Sequence, residues 1–214
     1  MTWDVLSLFP RNYTKTVPTG SLPFAAIINH KANERWKEEV VRFGWIDFID
    51  DLEVVRLLIS AVADWGRQRG CVRIKGPLGF SDLDKEGLLV EGFDLLSPFT
   101  VIYNYPYYSD RLEQLGFVKD ADWTQKIVDI PETDIPQLQY AHLVEERFGL
   151  RPVTGMSMKE MGRRYGVALF HLINTSFAEL YEYAPLSDRQ IDAYLKAYIP
   201  ILNKDFVSGV VDSD

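Results

Sequence analysis

Asp47 stands inside the apolar run 41–49 (VRFGWIDFI). A carboxylate in such a run can take a proton from an amine if burial raises its pKa. The ordinary alternative is a carboxylate on a solvated face or one bonded to a neighbouring loop. Asn104 lies among Tyr103, Tyr105, Tyr107 and Tyr108, whose polar tips on apolar bodies suit a ligand pocket and equally a half-buried surface. Asp82, Asp84, Glu86 and Gly87 echo a calcium-binding loop. The place that needs a bidentate glutamate is Phe93, so calcium is excluded and turn chemistry accounts for the acids. Glu91 is an isolated acid in LLVEGF, open to an amine contact or to a structural role.

Other reactive residue types fall away. Cys71 opens an apolar strand, and His30, His142 and His171 share no spacing with it, so it reads as a small core residue. The histidines have no metal-binding pattern, and no metal is expected. Gly76, Gly79 and Gly87 are too dispersed for a phosphate loop or a dinucleotide fingerprint.

The elements that must position these residues alternate in type. Residues 1–24 carry Pro10, Pro18 and Pro23 and are expected to be irregular. Strands are expected at 24–28, 41–49 and 71–76. Between the last two, a helix at 52–69 is capped by Asp50 or Asp51, with Val54, Leu58, Ala61, Val62 and Trp65 on one face and Gly70 as its stop. Strand, helix and strand in this order suggest a parallel crossover. A short helix at 106–115 ends at Gly116, and a strand is expected at 123–130. Residues 131–136 (PETDIP) read as a linker. Helices at 135–147, 157–182 and 187–200 follow, with short strands at 150–154 and 206–211. Ser157 with Glu160 and Ser187 with Gln190 supply capping boxes. The class is α+β, with long helices gathered toward the C-terminus. The organisation divides at 1–130 and 131–214, the second part packing with the first as one domain if the two halves complete each other.

Composition narrows the function classes. The formal net charge is −8, which disfavours non-specific binding to nucleic acid or anionic membranes and leans toward cationic substrates. One cysteine permits no internal disulfide, no long apolar run reads as a membrane span, and the N-terminus lacks a signal-peptide pattern. The expected location is the cytoplasm.

The segment 71–117 (CVRIKGPLGFSDLDKEGLLVEGFD through NYPYYSDRLEQLGF), after the helix at 52–69, resembles the second half of a domain of the GCN5-related N-acetyltransferase (GNAT) superfamily. GPLGFSDLDKEGLLVEGFD with YNYPYY and LGF is further similar to a bacterial, uncharacterised acetyltransferase-like group. The resemblance covers about residues 24–130. Residues 172–212 resemble the front of a second such unit, with the front of the first shortened. It implies a GNAT-like central mixed sheet flanked by helices. It also implies acyl transfer from acetyl-CoA to a small amine, held in a cleft between two diverging parallel strands. On that mapping Phe48, Ile49, Asp50, Asp51 and Asn104 would meet the cofactor, and Asp47, Tyr107 and Tyr108 would do the chemistry. Unpaired sheet edges would leave a homo-oligomer open as an arrangement.

The sequence departs from the family pattern in three ways. No glycine stands in the phosphate-binding turn, 49–54 (IDDLEV). Three carboxylates occupy that turn, and each would repel a phosphate by ~4 kcal/mol at ~4 Å in an effective dielectric of ~20. Leu112 falls where the family carries a proton-donating tyrosine, so Tyr105, Tyr107 or Tyr108 would have to serve. The alternative function is a non-catalytic ligand-binding or structural module on the same scaffold.

Overall fold

The computed structural model describes the backbone of residues 3–7 and the whole of residues 24–98, 101–133 and 135–212. Most of the irregular stretch expected at 1–24 lies outside these residues, but Trp3–Ser7 is a strand (β1). The class is α+β. The chain forms two compact units. One comprises residues up to 120 together with 176–185, and the other comprises 121–175 with 186–214.

The first unit is built on a four-stranded sheet in the order β1–β2–β3–β4. Strand β2 (Ala25–Asn29) pairs antiparallel with β1 and with β3 (Val40–Gly44). Between them, Asn29 caps the short helix α1 (His30–Trp36) by accepting from the Ala32 N–H at 3.1 Å. Strand β4 (Arg73–Lys75) lies parallel to β3, and the helix α2 (Leu52–Arg67) connects the two. The expected parallel crossover is therefore present.

Strand β3 is shorter than the apolar run that announces it. Trp45 adopts φ 47°, a left-handed backbone that ends the ladder, so Asp47 to Ile49 lie in a loop rather than a strand. The parallel pair also stays closed. Leu78 N–H donates to the Phe43 carbonyl at 2.8 Å, and the Trp45 and Phe80 rings meet at 5.0 Å beyond it. Gly44 makes this approach possible, because a Cβ there would lie 2.4 Å from the Leu78 carbonyl oxygen. The cleft expected between diverging strands does not open up to this point.

Side-chain alternation gives the sheet two unlike faces. Ala26, Ile28, Val41 and Phe43 face an apolar core completed by α2 and by the short helix α3 (Tyr107–Gln114). The buried side of α2 carries Val54, Val55, Ile59, Val62, Trp65 and Gly66, so the contact stripe is centred one residue beyond the expected one. Leu112 is 4% exposed and belongs to this core, which accounts for an apolar residue at that position. The opposite face carries Arg42 and Lys75 side by side in register.

The second unit holds a 3-10 turn at Pro136–Tyr140 and helix α4 (Ala141–Phe148). Strand β5 (Arg151–Val153) pairs antiparallel with β6 (Gly209–Val211). Helices α5 (Met158–Ser176) and α6 (Asp188–Tyr198) approach closely where Gly162 meets Ile199 and Gly166 meets Leu195. The capping box of Ser187 and Gln190 opens α6 as the sequence suggests. The strand expected at 123–130 is not formed. Ile127, Val128 and Ile130 are exposed, so no neighbouring strand rewards the β propensity of that segment.

Gly66 tests the core contact. A methyl group there would sit 2.5 Å from Val41 Cγ1 and 2.8 Å from its Cβ, too close for either to give way cheaply. Gly66→Ala should destabilise the first unit by about 1–3 kcal/mol by overpacking, although alanine favours helix by about 1 kcal/mol. Urea denaturation reads this directly; an unchanged or raised midpoint would contradict the packing described.

Candidate active site

The first candidate constellation lies just beyond the carboxyl end of β3, and the second lies on one face of the sheet. In open sheets with parallel crossovers, ligands collect at such ends.

The first constellation joins the 45–51 loop to α3. The Tyr108 hydroxyl donates to the Asp47 carboxylate and accepts from the Phe48 N–H at 3.3 Å. Tyr107 donates to the Phe48 carbonyl at 2.7 Å, and the Phe48 and Tyr108 rings stack at 4.1 Å. Arg111 Nε donates to Asp50 at 2.7 Å. Asp47, Phe48, Asp50, Tyr107 and Tyr108, nominated from sequence, are therefore brought together. Burial and the bond to Asp47 push the Tyr108 hydroxyl far above its ordinary pKa, so it keeps its proton and acts as a fixed donor. Asp47 is exposed, not buried in a strand as the apolar run suggested.

The remaining nominated residues do other work. Asp51 caps α2, its carboxylate accepting from the N–H of Glu53 at 2.9 Å and of Val54 at 3.4 Å. Those are the donors a pyrophosphate would need at a helix N-terminus. With Asp50 and Glu53 adjacent, this turn does not fit the pyrophosphate of acetyl-CoA. Ile49 is 41% exposed. Asn104 is buried and mimics a strand partner: its Oδ1 accepts from Leu89 N–H at 2.7 Å and its Nδ2 donates to the Leu89 carbonyl at 3.2 Å. That use of both ends of the amide positions the 88–89 segment rather than a ligand.

The second constellation covers the charged face of the sheet. Arg42 is 1% exposed, and its Nη2 donates to Glu182 Oε2 at 2.5 Å. Lys75 Nζ donates to Glu182 Oε1 at 2.6 Å and to Glu38 Oε2 at 2.7 Å. Burial draws the Lys75 ammonium down, but the Glu182 and Glu38 carboxylates outweigh it and leave its pKa raised. Glu182 holds a left-handed backbone, φ 56°, an uncommon conformation for a non-glycine residue. Trp36 Nε1 and Lys31 Nζ donate to the carbonyls of Tyr183 and Pro185, fixing the same 176–185 segment.

Over this face lies the 80–87 turn. Asn29 Nδ2 donates to the Phe80 carbonyl at 2.8 Å, and Asp84 accepts from the N–H groups of Phe80 and Ser81. The turn presents Asp82 and Glu86, whose side chains share a hydrogen bond. Burial is the largest cause that raises both acids; the neighbouring Asp82 pushes Glu86 further, to about 8, while Arg42 pulls both back. Arg42 Nε has no hydrogen-bond partner although it is buried, and no other buried side-chain nitrogen or oxygen among the described residues is left in that state. Sequence reading gave Asp82 and Glu86 to turn chemistry alone and passed over Arg42 and Glu182. The available signal was an arginine flanked by apolar residues on both sides in a strand. Among the described residues no cluster of His, Cys, Asp or Glu is arranged to hold a metal ion.

No protein-family model matches the chain. No solved structure matches it. The chain is 35% identical over 97 residues to Protein YghO from Escherichia coli strain K12, covering 44% of this chain and 25% of that protein. It is 27% identical over 169 residues to the bacterial ceramide synthase of Caulobacter vibrioides strain NA1000 / CB15N, covering 77% of this chain and 42% of that protein. The chain thus spans less than half the length of these curated relatives. Among the described residues no helix is long and apolar enough to cross a membrane.

Two stability measurements probe the charged face. Glu182→Gln leaves Arg42 buried without its counter-charge and should cost about 3–5 kcal/mol; adding Arg42→Met should recover more than half of it. Denaturation of the two variants checks this, and a double variant no better than the single would refute the pairing. Because the folded-state pKa of Glu86 is raised above its unfolded value, folding favours the protonated form. Its stabilising contribution is full below about pH 4.5, is lost as pH rises toward about 8, and is gone above. Melting temperatures from pH 5 to 9 should therefore fall less steeply in Glu86→Gln than in the natural chain.

Proposed function

We propose that the chain is part of an N-acyltransferase of GNAT-like architecture, moving an acyl group from a thioester such as an acyl-CoA to a primary amine. The observation that carries this reading is the position of the Asp47–Tyr108 constellation just beyond the carboxyl end of β3, in the parallel pair β3 and β4 joined by α2. The similarity to a ceramide synthase supports the reaction class. A ceramide is a long-chain amino alcohol with a fatty acyl group in amide linkage, so its synthesis forms an amide at an amine. In this chain Tyr107 and Tyr108 hold the 45–51 loop, and Tyr108 orients the Asp47 carboxylate toward solvent. Such a site contributes chiefly by placing the amine beside the thioester carbonyl.

A second reading, a non-catalytic module on the same scaffold, draws on one specific observation. The N–H groups at the start of α2 are already taken by Asp51. The two readings part in a simple measurement. Acetyl-CoA and a long-chain acyl-CoA are each added to the chain with hexylamine, and the amide product and the melting temperature are followed. Acyl transfer predicts N-hexyl amide formation and a rise in melting temperature with at least one thioester. Tyr108→Phe should then lower kcat at least tenfold by releasing Asp47. No amide and no shift at millimolar thioester would leave the non-catalytic module as the reading.

A further inference from the structure

We propose that Asp47, with the tyrosine hydroxyls that hold its loop, binds the acceptor as a primary alkylammonium and selects amines that carry no carboxylate beside the nitrogen. This rests on the acyl-transfer reading for the fate of the amine, and it names the class of amine that the same site takes. The 45–51 loop carries three carboxylates, and two of them are engaged. Asp50 is matched by Arg111 at 2.7 Å, and Asp51 is spent on the N–H groups at the start of α2. Asp47 is exposed and gives its Oδ1 to the Tyr108 hydroxyl. Among the described residues no cation pairs with it, and its Oδ2 accepts no hydrogen bond.

The hydroxyls beside it present themselves to a ligand as acceptors. Tyr108 spends its proton on Asp47, and Tyr107 spends its own on the Phe48 carbonyl at 2.7 Å. Burial is the largest cause that raises both hydroxyls above the ordinary phenol range, so both keep those protons. A phenol oxygen whose proton is committed still accepts through a lone pair. A ligand at this loop therefore meets a carboxylate oxygen and phenol lone pairs, with both phenol protons turned elsewhere. The group that matches is a cation with several N–H donors, and a primary ammonium has three. A quaternary ammonium brings the charge without the donors, and an alcohol brings a donor without the charge.

Two further observations narrow the class. Phe48, Tyr108, Tyr107 and Tyr105 form a run of rings with successive centroids 4.1, 5.0 and 5.8 Å apart. Tyr105 ends the run at 61% exposure and offers an alkyl group an aromatic surface to lie on. The loop and the start of α2 (45–56), with residues 105–114 of α3 and its lead-in, carry six acids and two bases, an excess of four negative charges. Both bases are already paired, Arg111 with Asp50 and Arg56 with Glu53. A carboxylate next to the ligand nitrogen would enter this field and be repelled.

Calorimetry on the whole chain at pH 7 and low ionic strength, where an exposed charge is least screened, tests this. The probes are hexylammonium chloride, hexyltrimethylammonium chloride, hexanol and norleucine, an amine with a carboxylate beside the nitrogen. Hexylammonium should bind at least tenfold tighter than hexanol or norleucine and at least threefold tighter than the quaternary ion. Asp47→Asn keeps an oxygen for the Tyr108 hydroxyl but loses the charge, and it should erase the preference over hexanol with the melting temperature held. Asp94→Asn, an exposed acid in another segment, should retain the preference. Hexanol binding as well as hexylammonium, or a preference that survives in Asp47→Asn, overturns the ammonium site. Equal binding of norleucine overturns the exclusion of carboxylates, and equal binding of the quaternary ion overturns the role of the N–H donors. Amide formation from hexylamine and an acyl-CoA is followed in parallel. Amide without an Asp47-dependent preference removes this site and leaves acyl transfer standing. An Asp47-dependent preference without amide leaves the ammonium site standing and removes acyl transfer.

Discussion

Burying Arg42 constrains the first unit more than any other single feature. A guanidinium at 1% exposure in the middle of a sheet is tolerable only with a counter-charge held against it. Glu182 supplies that charge from 140 residues further along the chain. The return of residues 176–185 to the first unit, the left-handed backbone at Glu182 and the anchoring of its neighbours by Trp36 and Lys31 all follow from seating that carboxylate. Lys75 then shares Glu182 with Arg42, so two parallel strands present one continuous ionic seam.

The two faces of the sheet are stabilised in different ways. One is an apolar contact, where Gly66 lets α2 come within reach of Val41 and where Tyr108 and Leu112 close the end of the core. Its strength grows with area removed from water and tolerates small rearrangements. The other is a charge network whose parts are costly alone and favourable together. Such a network holds groups in fixed places and shifts their proton affinities, as at Lys75 and Glu86.

The loop after β3 illustrates how one local event redirects function. The left-handed turn at Trp45 takes Asp47 out of the sheet, where it would have been buried, and hands it to the Tyr108 hydroxyl. The same loop brings Asp51 to the start of α2, where its carboxylate satisfies the helix amides. That cap stabilises α2 by about 1 kcal/mol and at the same time removes a phosphate seat. A stable helix start and a pyrophosphate grip compete for the same N–H groups, and in this chain the helix cap occupies them.

Local patterns in the sequence determined most of the elements. The helix expected at 52–69, its cap at Asp50 or Asp51, the Ser187 capping box and the strand expected at 24–28 are decided by interactions within a few residues, and the structure has them at 52–67, Asp51, Ser187 and 25–29. The nominated cluster of Asp47, Tyr107 and Tyr108 was legible because tyrosines and an acid stand out against apolar neighbours. Tertiary structure alone decided the rest. The pairing of Arg42 with Glu182 and the use of Asn104 as a strand surrogate depend on where distant segments return. The physical reason is range: a cap or a helical stripe draws its energy from neighbours in sequence. A buried charge draws its energy from a partner that no local pattern specifies, so its meaning emerges only once the chain has folded around it.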